Sequence, residues 1–413
     1  MKIAIIGAGI SGLSIGQMLK DKHEVRIFES ADRPGGMMKC KRVNGHLFHL
    51  TGGHVFNTKK EKVADWFWKH FNKKEEFTLA DRNSIVHYEK EKYIPYPIEN
   101  HIYLFDKDTQ LSIIKDWLSI VPIDAQDFET FLKNRFGDTL YNIYFSPYNK
   151  KIWRCELSSI PLSWLEGKLP MPTVEEMLFN NINNIEERNF VHSRFYYPIN
   201  DGSQFIINRL AEGLNITYSC PINKIEHTNH SWKILDQTFD HVIFCGNIKQ
   251  VPQLIGNSVE NTLAFEPIIN GLLSHGTTSV LCEIDKNPYS WVYLPSKKHE
   301  SHRIICTGNF SPSNNASRDR ISAVVEFTDK ISEVNILENL SEIPFNPTYI
   351  THNYAEYTYP IQDNKTRKMV HEYQNILKGA NFHLLGRFAQ WEYNNMDICI
   401  ENALILSEYF QKF

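Results

Sequence analysis

Six residues near the N-terminus constrain this chain more than any other stretch. Gly7-Ala8-Gly9-Ile10-Ser11-Gly12 follows the short apolar run from Lys2 to Ile6 and precedes Leu13, Ile15, Met18 and Leu19, which recur near helical spacing. That order predicts strand, tight turn and helix. Gly7 permits the turn, Gly9 lets backbone amides approach a diphosphate, and Gly12 lets the helix sit close on the strand. The phosphate then faces a helix N-terminus, where N–H groups without helical partners and the helix dipole favour negative charge. Val25 to Phe28 reads as a second strand ending at Glu29, an acid placed to bind ribose hydroxyls. A purely structural βα turn is the plainer alternative. The motif's position between strand and helix, with the acid about twenty residues on, favours a βαβ unit that holds a dinucleotide.

At 413 residues the chain exceeds what one core usually supports, so two or three units sharing an interior are expected. From Asn100 to Leu178 strand signals fade and Leu, Trp, Phe and Tyr dominate with few glycines, consistent with a helical insertion. From Thr262 to Tyr359, short β-branched and aromatic runs such as Ser279–Ile284, Trp291–Leu294 and Arg303–Cys306 alternate with polar turns, which argues for an antiparallel sheet. Phe239–Gly246 and Phe382–Gly386 look like further buried strands that return to the first sheet. The expected fold class is therefore α/β, a Rossmann-like parallel-sheet domain with a helical insertion and a second, antiparallel-sheet substrate domain. The expected division gives 1–80, 200–255 and 370–413 to a discontinuous dinucleotide domain and 100–178 to a helical substrate lobe. Residues 81–99, 179–199 and 256–369 fall to the antiparallel domain.

A formal charge of −4 provides no broad cationic field, so neither nucleic acid nor an anionic membrane is an expected partner. The stretch from Met1 to Gly9 lacks the marks of a signal peptide, and no run approaches the roughly 20 apolar residues that span a bilayer, so a cytoplasmic location is expected. Cys40, Cys155, Cys220, Cys245, Cys282, Cys306 and Cys399 lie far apart with no CxxC, which suits free thiols and no metal site. No HExxH or P-loop pattern is present.

Arg33-Pro34-Gly35-Gly36, followed by Met37, bears on the choice between NAD and FAD. It resembles the glutathione-reductase-like FAD family, in which a GG motif after the ribose acid lets backbone approach the diphosphate and flavin. Cys220 to Ile225, with Ile222 at its centre, and Asp240 to Phe244 resemble the later segment of that family that closes over the adenine side. The ending, Gly386-Arg387-Phe388-Ala389-Gln390-Trp391-Glu392-Tyr393-Asn394-Asn395-Met396-Asp397, resembles the UDP-galactopyranose mutase family. Those chains close with a GR, an aromatic-rich stretch and a DMD-like tripeptide leading into a helix. Gly52-Gly53-His54-Val55-Phe56-Asn57-Thr58 is similar to the mutase loop GPHIFHT, which packs against the isoalloxazine ring. Arg303 to Phe310 resembles RIIEHKHF, and Tyr359-Pro360-Ile361-Gln362 with Asn364 resembles EYPIPTxEN. Tyr148 to Trp164 is similar to the helical lobe where aromatics hold the uracil.

This resemblance implies FAD bound by Gly7, Gly9, Ser11, Gly12, Glu29, Arg33, Gly35, Gly36, Met37, Gly53, His54, Ile222, Gly386, Arg387, Asn395, Met396 and Asp397. It implies a UDP- or dTDP-linked hexose whose diphosphate is gripped by Arg303 and Arg387 and hydrogen-bonded by Tyr359 and Tyr393, with Trp153 and Trp164 beside the base. Arg303, Arg387 and His54 form the implied catalytic set. In that family the reduced flavin's N5 attacks the anomeric carbon, expels the nucleotide diphosphate and holds the sugar while its ring recloses. The reaction serves cell-surface polysaccharide and LPS biosynthesis, NAD(P)H is a candidate external reductant, and a homodimer is implied.

The chain also departs from the pattern. Asn57 replaces the second loop histidine, and the RxPxR stretch is Lys168-Leu169-Pro170-Met171-Pro172. Two rival readings stand beside the mutase: a flavin oxidase of the amine-oxidase or protoporphyrinogen-oxidase type, which predicts an apolar pocket, and a flavin-stabilised binding protein. Trp153 and Trp164, eleven residues apart, are expected on one helix face, in the core or against the base.

Overall fold

The computed structural model describes residues 1–89, 92–162, 172–185, 194–228 and 230–412. Lys2–Ile6 lies in the middle of a parallel five-stranded sheet in the order Phe382–Leu384, His241–Phe244, Lys2–Ile6, Glu24–Phe28, Ile216–Thr217. The side-chain period of two splits this central strand between two apolar layers. Ile3 and Ile5 pack with Leu13, Ile15, Ile243 and Ile400 on one face, and Ala4 with Phe28, Trp232 and Tyr373 on the other. Helix Ile10–Leu19 covers the first face together with the C-terminal helix Met396–Phe410. A Cβ on Gly12 would stand 2.0 Å from the Gly7 carbonyl oxygen, so only glycine lets this helix start where it does.

The second sheet has seven strands, in the order Thr348–Pro360, Ser274–Asp285, Arg320–Thr328, Arg303–Ile305, Trp291–Tyr293, Ser84–Glu89, Lys92–Pro95. Its pairings are antiparallel except one, because Ser84–Glu89 runs parallel to Trp291–Tyr293. On one face Val280, Ile304 and Val325 are closed over by helix Glu333–Ser341. On the other, Leu281, Ile305 and Val324 meet Tyr144, Tyr148 and Trp153 of the helical lobe.

That lobe contains helices Lys107–Ser119, Phe128–Leu140, Ser146–Trp153 and Val174–Asn183. Asp106, Asp127 and Thr173 accept backbone N–H bonds at three of their N-termini, which satisfies donors that the helix itself leaves open. The expected shared helix face for Trp153 and Trp164 is corrected here. Helix Ser146–Trp153 stops at Arg154, whose left-handed φ of 44° turns the chain away, so no single helix carries both indoles. Trp164, Lys168, Leu169, Pro170 and Met171 lie outside the described residues.

The seven cysteines are free. Among the described residues no helix is long and apolar enough to cross a membrane.

Two predictions follow from this packing. Gly12→Ala must separate helix from strand, and a loss of about 2–3 kcal/mol is expected in chemical denaturation. Burial pushes His49 and His383 down from 6.5 to about 3. Below pH 6.5 the unfolded chain takes up these protons and the folded chain refuses them. Stability therefore falls as pH drops from 6.5 towards 3, by up to about 1.4 kcal/mol per pH unit for each histidine. Urea titrations at pH 7 and pH 5 measure the slope, and His383→Asn should flatten it.

Candidate active site at the meeting of the two sheets

The first part of the site is a backbone cradle. Gly7, at φ 105°, bends the chain out of its strand, and its N–H donates to the Phe28 carbonyl at 2.8 Å. Helix Ile10–Leu19 begins after Gly9, and among the described residues no side chain caps its first turn. Gly35 and Gly36, at φ 141° and 54°, swing a second backbone against the first, and a Cβ on Gly36 would stand 3.4 Å from the Gly9 Cα. Two facing glycine backbones and open helix N–H groups suit a diphosphate. Glu29 is buried at the adjoining strand end and accepts from the Ala8 and Ala31 N–H groups at 2.7 and 3.0 Å.

Other expected cofactor residues border this cradle. A Cβ on Gly386 would come 2.7 Å from the Ser11 Oγ, so the Gly386 turn rests on the first turn of the helix. Ile222 is half-buried beside the cluster that contains Phe28 and Phe244. Arg33 donates from Nη1 to the Cys40 carbonyl at 2.9 Å and to Gln204 Oε1 at 3.3 Å. Its visible work is to hold the glycine loop.

The second part is a cavity of about 360 Å³ lined by Met37, Gly53, His54, Trp153, Arg303, Tyr359, Arg387, Tyr393, Asn395, Met396 and Asp397. The first sheet contributes its last helix start, the second its strand ends, and the helical lobe Trp153. Gly53 lies flat on the Arg303 strand, since a Cβ there would meet Ile305 at 2.8 Å. One His54 ring nitrogen, Nε2, is 3.1 Å from the Met37 carbonyl. Burial, with Arg387 next in importance, pushes His54 down to about 4, so its imidazole is neutral at physiological pH. Burial also raises Asp397 above the usual carboxylate range.

Both expected arginines are held in place. Arg303 Nε donates to Glu326, and its Nη2 donates to the Tyr359 hydroxyl at 3.1 Å. Burial works against the Arg303 charge, yet Glu326, Tyr359 and Tyr148 together outweigh that cost and hold the guanidinium well above its usual range. Arg387 donates from Nε and Nη2 to the Asn394 carbonyl at 3.0 and 2.7 Å, and from Nη1 to the Thr358 carbonyl at 3.1 Å. Its guanidinium carbon lies 4.6 Å from the Tyr393 ring centre, a cation–π contact. Tyr359 and Tyr393 stack with centroids 5.4 Å apart and planes 9° from parallel. Burial raises the Tyr359 hydroxyl pKa, so the phenol keeps its proton.

Sequence reasoning missed two charged members of this cavity. Glu326 is 1% exposed and sits directly across the ladder from Arg303. A lone acid inside the apolar run Val324-Val325-Glu326-Phe327 was the available signal. Arg82 lines the same cavity, with its guanidinium carbon 4.9 Å from the Trp291 ring centre, and it donates from Nε to Ser84 Oγ and from Nη2 to the Tyr293 hydroxyl. Nothing local in the sequence marks Arg82.

Residues 5–71 match the NAD(P)-binding Rossmann-like domain family. The chain is 24% identical over 427 residues to dTDP-fucopyranose mutase of Escherichia coli, covering 100% of this chain and 98% of the relative. It resembles the nucleotide-sugar mutases from end to end. UDP-galactopyranose mutase of Mycoplasma pneumoniae is 22% identical over 425 residues, covering 98% of this chain and 94% of that protein. A crystal structure of reduced UDP-galactopyranose mutase superposes with a TM-score of 0.88 at 19% identity, covering 100% of this chain and 95% of that one. The fold is therefore that of the mutases.

Removing Glu326 would leave the Arg303 charge buried without its partner. Glu326→Ala is expected to lower stability by about 3 kcal/mol, read from the denaturation midpoint.

Proposed function

We propose that this protein is a flavin-dependent nucleotide-sugar mutase that interconverts the pyranose and furanose rings of a UDP- or dTDP-linked hexose. The observation that carries the reading is the pairing of Arg303 and Arg387, bridged by the stacked Tyr359 and Tyr393, in one cavity beside the glycine cradle. An oxidase of apolar substrates would have little use for two guanidiniums there. The full-length likeness to a dTDP-fucopyranose mutase and a UDP-galactopyranose mutase supports the same substrate class.

FAD fits the residues present. Gly7, Gly9, Ser11, Gly12, Gly35 and Gly36 would hold its diphosphate and Glu29 its ribose, while Met37, Gly53, His54 and the helix start at Asn395, Met396 and Asp397 would border the ring. Reduced flavin supplies a nucleophilic nitrogen, N5, that can take the anomeric carbon without net oxidation. Arg303 and Arg387 bind the substrate diphosphate and stabilise the charge that grows on it as the anomeric bond breaks. Glu326 fixes the Arg303 fork and the Thr358 and Asn394 carbonyls fix Arg387, so neither side chain reorganises during the step. The Tyr359 hydroxyl, protonated, donates to a phosphate oxygen. Trp153 shields the sugar from water and His54 presents a neutral imidazole beside Met37. NAD(P)H as reductant, a cytoplasmic setting, a homodimer and a role in cell-surface polysaccharide synthesis complete the proposal.

The test is to incubate the dithionite-reduced protein with UDP-galactose and with dTDP-fucose and look for furanose product. Turnover confined to the reduced protein is expected. Flavin bleaching by an amine, with no sugar turnover, would overturn the reading in favour of an oxidase. Arg303→Ala and Arg387→Ala should each weaken nucleotide-sugar binding by about 2 kcal/mol, measured by calorimetry.

A further inference from the structure

Outside the cavity, one polar cluster is built around a histidine whose two ring nitrogens both meet acceptors. His275 Nε2 is 2.7 Å from the Trp153 carbonyl, and His275 Nδ1 is 3.0 Å from an Asp329 carboxylate oxygen. A backbone carbonyl only accepts, so His275 Nε2 donates to Trp153, while Nδ1 stands within hydrogen-bonding distance of the Asp329 carboxyl group. The Trp153 carbonyl belongs to the last turn of helix Ser146–Trp153, where carbonyls lack helical donors.

The backbone around this histidine is arranged to aim it. His275 precedes a β-bulge in strand Ser274–Asp285, where the ladder to Thr348–Pro360 shifts between His275 and Thr277. Gly276 makes the bulge possible, since a Cβ there would stand 2.6 Å from the Tyr354 hydroxyl. Asp329, held at a left-handed φ of 64°, accepts from the Gly276 N–H at 3.1 Å and donates its own N–H to the Gly276 carbonyl at 2.9 Å. The Thr278 hydroxyl donates to the Asp329 carbonyl at 2.7 Å. The carboxylate is thus locked to the same bulge that turns the imidazole towards the helix.

His275 is also the direct ladder partner of Tyr359. One residue therefore ties the helix end that carries Trp153 to the strand pair that carries Tyr359. Their rings meet edge to face, with centroids 6.3 Å apart and planes at 73°. Tyr359 in turn accepts from Arg303.

We propose that His275, braced by Asp329, is a positioning residue that pins the C-terminal end of helix Ser146–Trp153 and so sets Trp153 as a substrate-shaping wall of the cavity. The substrate part of this proposal rests on the mutase reading; the pinning part does not. His275 touches neither the sugar nor the cofactor. It acts through Trp153, on how well the nucleotide sugar is seated.

The experiment compares flavin-loaded wild type with His275→Ala, His275→Gln, Trp153→Phe and the double variant His275→Ala/Trp153→Phe. Amide exchange at Ile152, Trp153, Arg154 and Cys155 is measured alongside KM and kcat for the nucleotide sugar. His275→Ala is expected to speed exchange at these amides about tenfold and raise KM about tenfold, with kcat within about twofold. His275→Gln, whose amide N–H can still reach the Trp153 carbonyl, should recover most of both effects, and it keeps the test available if the alanine variant does not fold. The double variant should show a KM no higher than the larger single effect, because both changes act on one wall. Unchanged exchange in His275→Ala, an equal fall in kcat, or KM effects that multiply in the double variant would overturn the proposal. If the wild type turns over no nucleotide sugar, the mutase reading fails. Faster exchange in His275→Ala would still uphold the pin, and unchanged exchange would still sink it.

Discussion

The Gly7 carbonyl passes so close to the start of helix Ile10–Leu19 that a single methyl group on Gly12 would collide with it. That contact sets the angle between first strand and first helix, and the angle decides where the helix's open N–H groups point. The facing Gly35-Gly36 backbone, the buried Glu29 and the Gly386 turn resting on Ser11 are all placed with reference to it. The C-terminal helix packs on the same face of the sheet, which brings its start at Asn395, Met396 and Asp397 into the cavity although it lies at the far end of the chain.

The electrostatics of the cavity rest on pre-positioned charge. Arg303 is neutralised and aimed by a buried acid, while Arg387 is aimed by backbone carbonyls and the Tyr393 ring. Buried charges without such partners are costly, and partners that fix geometry remove the need to reorganise when substrate charge develops. The helical lobe contributes shape more than charge. Trp153 reaches the cavity because its helix ends there, and the histidine at the sheet bulge holds that end.

Much of the fold was legible because its signals are local. The strand, glycine turn and helix at the N-terminus each depend on residues within a few positions of one another, and so do the β-branched runs of the antiparallel sheet. The returns of His241–Phe244 and Phe382–Leu384 to the first sheet could be read from the same apolar-run-then-glycine pattern. The parallel pairing of Ser84–Glu89 with Trp291–Tyr293 could not, since it depends on where a distant segment docks. The expected helix face for Trp153 and Trp164 failed for a local reason that composition does not reveal: Arg154 takes a left-handed conformation and ends the helix. Glu326 and Arg82 escaped notice because their meaning lies in the partners across the sheet, Arg303 and Trp291.

The sequence by itself determined the dinucleotide turn, the two kinds of sheet and the family resemblance, because glycine's freedom and side-chain periodicity act over a few residues at a time. Tertiary structure alone decided which acid steadies Arg303, which tyrosines stack and which histidine grips the end of the Trp153 helix. Those choices join residues more than twenty to more than a hundred positions apart, and only strand pairing within the second sheet, its packing against the helical lobe and its meeting with the chain's C-terminal segment bring such groups into contact.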